Sequence, residues 1–94
     1  QQFDYNAQVF NTQKKQLKLD VEKNLSLLAF YENAGLNQAE EIIKAASLAY
    51  RAGEISFADL SQFITQAIEI QKNYLESLNT YNQSVIQYNF YSQP

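Results

Sequence analysis

The chain has no cysteine, histidine, methionine or tryptophan, two glycines and one proline among 94 residues. Each absence excludes something. Without cysteine there is no disulfide framework, and the redox compartment stays open. Without cysteine and histidine only carboxylates remain for a metal, which argues against zinc or haem. A Ser-His or Cys-His nucleophile cannot be built. Proline at one position and glycine at two leave almost nothing to break a helix. No apolar run approaches the roughly 20 residues needed to cross a bilayer; Leu27-Leu28-Ala29-Phe30-Tyr31 is among the longest. No secretory leader is visible, and the chain starts at Gln1 rather than Met, which we read as a fragment of a longer protein.

Charge is sparse as well. Seven basic and ten acidic side chains give a net charge of −3, which disfavours nucleic acid as a partner. Polarity comes instead from amides: 12 Gln and 9 Asn outnumber the 17 charged residues. Residues 77–94 carry no charge at all, an awkward free surface that suggests cover in a parent protein.

Helix signals dominate what is present. Stepping by three and four from Phe3 gives Ala7, Phe10, Lys14, Leu17, Val21, Leu25, Leu28 and Tyr31, then Leu36, Ala39, Ile42, Ala46 and Ala49. Gly35 could end one helix, with Asn37 and Glu40 opening the next. The stripe continues across it, so we expect a continuous helix with a kink. The clear break is Ala52-Gly53-Glu54-Ile55-Ser56. Gly53 sits where a helix ends in a left-handed residue. Ser56 and Asp59 are spaced as a capping box. A second stripe follows through Leu60, Phe63, Ile64, Ala67, Ile68, Tyr74, Leu75, Leu78, Tyr81, Val85 and Tyr88.

The sequence therefore predicts an all-α fold: a single long antiparallel two-helix coiled-coil hairpin, helices about 3–51 and 57–91, with Tyr50, Gly53 and Glu54 at its tip. At 1.5 Å per residue the arms span roughly 70 Å and 50 Å. The apolar stripe of the second arm is wider than one seam needs. The surplus predicts association into a larger helical bundle or barrel.

Little here suggests chemistry. Glu40 and Glu41, with Glu32 two turns away, could do acid–base work only in a cleft that perturbs them. A hairpin supplies none, and a solvated face paired with Lys44 is the better account. We expect no catalytic residue, metal or cofactor. Lys14, Lys15, Lys18 and Lys23 alternate with Asp20 and Glu22 and read as a soluble face. Tyr74, Tyr81 and Tyr88 recur every seven residues and suggest a seam between neighbouring hairpins.

From Tyr31 to Tyr91 the chain resembles the C-terminal helical hairpin of TolC-like outer-membrane efflux proteins. The matching stretches are Glu32-Asn33-Ala34, then Ala49-Tyr50-Arg51-Ala52-Gly53-Glu54-Ile55-Ser56-Phe57. The third is Tyr74-Leu75-Glu76-Ser77-Leu78-Asn79-Thr80-Tyr81-Asn82-Gln83-Ser84-Val85-Ile86. This last run is similar to forms that accompany, or are fused to, cation-efflux pumps of the resistance-nodulation-division type. The resemblance implies a periplasmic segment of a trimeric helical barrel. It implies an adaptor protein meeting the tip at Tyr50, Ala52, Gly53, Glu54 and Ile55, and an inner-membrane pump beyond it. Ile55 stands where relatives often carry Arg, and Gln62 where an acidic partner would fall, so an ion-pair latch is missing. An alternative from length and turn position is a small secreted hairpin that dimerises into a four-helix bundle, although the Trp-x-Gly turn of that class is absent.

Overall fold

Ala, Leu, Gln, Glu and Lys fill the chain on both sides of one glycine-containing turn, so the backbone has little choice but helix. The computed structural model describes residues 2–92, with side chains from Gln8 to Tyr91. Helix α1 is Gln2–Phe30, a π-helical turn covers Tyr31–Gly35, α2 is Leu36–Arg51 and α3 is Phe57–Ser92. The first three run on without a break and form one arm; α3 returns antiparallel beside it. The hairpin measures 75 × 19 × 16 Å. The two predicted helices are present with ends shifted by a residue or so. The side chain of Phe3 lies outside the described residues; at the open end Phe10 meets Tyr91, ring centroids 6.4 Å apart.

The arms meet through small side chains. Ala39 and Ala67 are wholly buried, Ala46 and Leu28 nearly so, and Gly35 is buried with them. Small residues let the helix backbones approach closely, so the seam gains contact from proximity rather than from bulky knobs. The seam departs from the predicted stripes in a systematic way. Leu25, Ile68 and Leu75 were expected inside it and are 48%, 54% and 60% exposed. Asn24 and Ser84 take seam positions instead. Ser84 is buried because its hydroxyl donates to the Tyr81 carbonyl at 2.7 Å, which satisfies it within its own helix.

The expected continuity through Gly35 holds, with one added residue. The Leu36 N–H reaches back five residues to the Tyr31 carbonyl, the signature of a π turn. The Asn37 side-chain amide donates to the Asn33 carbonyl at 2.6 Å, so Asn37 braces the turn instead of capping a new helix. Before the turn the inward positions fall at 14, 17, 21, 24, 28 and 31; after it they fall at 35, 39, 42, 46 and 49. The spacing changes from three-then-four to four-then-three. The π turn is the single-residue correction that keeps both halves of the first arm aimed at α3.

Gly35 is helical, with φ −65°, so it needs no glycine for its backbone. A Cβ there would stand 3.4 Å from the Tyr31 ring and 3.5 Å from Ile70 Cγ2, ordinary contact. Gly35→Ala is therefore expected to stabilise the hairpin by about 0.5–1 kcal/mol through reduced backbone freedom in the unfolded chain. Urea unfolding followed by circular dichroism would show it as a raised midpoint. A lowered midpoint would mean that the Gly35–Ile70 contact does not tolerate a methyl group.

Candidate functional site at the hairpin tip

The tip is built by local chemistry at both helix ends. At the end of α2 the Glu54 N–H donates to the Ala49 carbonyl at 2.9 Å and the Gly53 N–H to the Tyr50 carbonyl at 3.0 Å. These are the paired bonds of a Schellman motif. Its left-handed residue is Gly53, φ +76°, the one described residue with a positive φ; a side chain there would crowd its own carbonyl. Three residues after Gly53, Ser56 opens α3 with the predicted capping box. The Asp59 N–H donates to Ser56 Oγ at 3.1 Å, and the Ser56 N–H donates to Asp59 Oδ2 at 3.4 Å. The Leu60 N–H then makes the first helical bond to the Ser56 carbonyl, 3.0 Å.

Four residues, Ala52–Ile55, thus reverse the chain, and three of their N–H groups, those of Ala52, Gly53 and Glu54, bond back to carbonyls of α2. Ser56→Ala should destabilise the hairpin by about 1 kcal/mol, read as a lower thermal midpoint. An unchanged midpoint would mean that the packing beside the turn, not the box, sets where α3 begins.

Tyr50 and Phe57 bracket the turn edge-to-face, centroids 6.2 Å apart and planes at 66°. Both are exposed, at 41% and 68%. Ala52, Gly53 and Glu54 are exposed as well, while Ile55 is half-buried. Ile55 folds back to line an apolar groove of about 300 Å³ with Ile42, Ala45, Ala46, Ala49 and Phe63. The tip is therefore a hydrogen-bonded turn with an aromatic pair on its surface and an apolar groove beneath. The residues singled out from sequence, Tyr50 to Ile55 with Ser56 and Asp59, are brought together here. The groove itself was not legible, because Ala45 lies in neither stripe and Phe63, in the second, is remote from it in sequence.

The three tyrosines have a place inside the hairpin. Tyr74, Tyr81 and Tyr88 continue the seven-residue series of Leu60 and Ala67 and are half-buried beside the first arm. Tyr88 shares a surface depression with Asn11, Lys14, Lys15 and Lys18. Their outer edges remain accessible to a neighbour.

Elsewhere the surface is solvated. Glu32, Glu40 and Glu41 are all exposed. Among the described residues no three carboxylates converge as a metal site would require. No helix among them is long and apolar enough to cross a membrane. Comparison of the chain with protein-family models, with curated proteins and with solved structures finds no match.

Proposed function

We propose that the chain is the periplasmic helical hairpin of an outer-membrane efflux duct, a structural part of a tripartite system exporting cations or drugs. In this reading the tip docks a periplasmic adaptor protein, the arms stand beside other hairpins in a trimeric barrel, and an inner-membrane pump completes the path. No catalysis or cofactor is assigned to it. The observation that carries the reading is the combination of a 75 Å hairpin with an exposed, hydrogen-bonded tip and an apolar surplus. Fifteen large hydrophobic side chains are exposed among the described residues, far more than a free two-helix body gains from showing. A stave in a wall buries them against its neighbours. The resemblance around Tyr50–Phe57 and Tyr74–Ile86 supplies the kind of wall.

Gly53 gives the test. It has open space around its Cβ position, so a bulky side chain there strains only the turn and obstructs whatever approaches it. Gly53→Trp in the parent protein is expected to abolish adaptor capture and efflux while far-ultraviolet dichroism of the hairpin stays helical. Efflux at the original rate would overturn the docking role. Cell fractionation with antiserum against the chain separates the broader alternatives. A band several-fold larger than 10.8 kDa in the outer membrane supports the duct. A larger inner-membrane band supports a pump fusion. A band of the chain's own size in the medium overturns both in favour of a secreted hairpin.

A further inference from the structure

Polar side chains are unevenly spread along the seam, and the π turn is where the distribution changes. On its tip side, residues 36–70, Ser47 and Ser61 are the half-buried polar residues. Every other buried or half-buried residue there is apolar, Ala39, Ala46 and Ala67 among them. On its open side, residues 8–30 and 73–91, Lys14, Asp20, Asn24, Asn73, Ser77 and Ser84 are all buried or half-buried. Leu28 is the one buried apolar side chain of that half. The depressions between the arms follow the same division. The tip-side groove is lined by apolar side chains alone. On the open side a depression of about 210 Å³ gathers Asn24, Asn73, Glu76, Ser77 and Thr80 around Tyr31. Further out, Gln13, Gln16 and Gln87 line a second, and Lys14, Lys15, Lys18 and Tyr88 a third.

The two halves therefore gain differently from closing. Amides, hydroxyls and ammonium groups that line an open depression keep their water whether the arms are together or apart, so their contact adds little. The tip half closes on apolar surface and is tied by the hydrogen-bonded turn. The border between the halves is also the weakest point of the first arm as a rod. Sharp bends in helices fall at π turns, and this one contains Gly35. Phe10 lies about 35 Å of helix away from it. A bend of about 20° at the turn would carry Phe10 about 12 Å off Tyr91 with the hydrogen bonds of α1 intact.

We propose that the π turn is a hinge: α1 lifts off the outer half of α3 as a unit while the tip half stays closed. The hairpin then has two opening units of different stability rather than one. Opening bares Leu17, Val21, Tyr81 and Tyr88, which are half-buried while the arms are together. The inference concerns the packing of the 94-residue chain by itself and does not rest on the duct reading.

Amide hydrogen exchange of the chain, read by mass spectrometry of peptic fragments, tests it. Once off α3, α1 is a lone helix of marginal stability and its amides exchange. Protection over residues 14–28 should be about tenfold or more below that over 36–48, with the step at Tyr31–Gly35. Ordinary fraying would instead give a smooth gradient from the tip to the ends, and that result would overturn the hinge. Equal protection of the two halves would overturn it as well. A second measurement uses Asn24→Leu combined with Asn73→Leu, which puts apolar side chains where two amides face the depression. Exchange over 14–28 should slow about tenfold while 36–48 is unchanged. Slowing of both halves by one factor would mean that the seam opens all at once, against the proposal. No slowing over 14–28 would mean that contact with α3 does not hold α1 down, which sinks it too.

Discussion

Ala67→Leu is expected to cost about 3 kcal/mol, enough to unfold much of the hairpin. Ala67 is wholly buried, as is Ala39, and the arms are close because those side chains are small. Three extra carbon atoms at such a site cannot be accommodated by a rotamer change; the arms must separate or the helix must turn. Either response reduces contact along the neighbouring seam as well. Most domains have a core to absorb part of such an insult, but here four apolar side chains make up the buried set among the described residues. Ala58→Leu, on an exposed position of the same helix, should stay within about 0.5 kcal/mol and serves as the control. Urea unfolding of both variants measures the difference. Equal midpoints would mean that the arms can spread at Ala67 without loss.

Leu28→Ala should be next in size, at about 2 kcal/mol. Leu28 is the largest of the buried apolar side chains, 8% exposed, and it sits just before the π turn where the seam changes spacing. Truncation removes its transfer free energy and leaves a gap in the seam. The figure lies at the low end for leucine because an open two-helix body collapses around a void more readily than an enclosed core. Leu25→Ala, three residues earlier and 48% exposed, should cost well under half as much. A larger effect at Leu25 than at Leu28 would show that a neighbouring chain covers Leu25 in solution.

That contrast shows what a sequence of this kind does and does not specify. The tip is legible because its causes are local. Gly53, Ser56 and Asp59 act on backbone groups within three residues of themselves, and the bonds form where the spacing requires. The seam is less legible because hydrophobicity does not say which way a helix is rotated. Leu25, Ile68 and Leu75 carry as much apolar surface as the residues that replace them. Close approach of the arms selects Ala, Gly and Ser instead, a choice governed by size. Asn24 and Ser84 are passed over by any reading that equates seam with apolar. The apolar surplus of the second arm was visible in the pattern. Its resolution into an inner alanine–tyrosine line and an outer stripe needed the relative rotation of the two arms.

The π turn at Tyr31–Gly35 has a consequence for how the hairpin can change length. Seven residues removed from each arm on the open side shorten the rod and leave its tip facing the same way, since seven residues are close to two full turns. One residue removed from the π turn is a different operation. It turns α1 against α2 by about 100°, so one half of the first arm must swing off α3 if the other stays on it. The turn therefore works as an angular index between the two ends of the rod. It sets the compass bearing of the Tyr50–Phe57 edge relative to the Phe10–Tyr91 end, across the full length of the molecule.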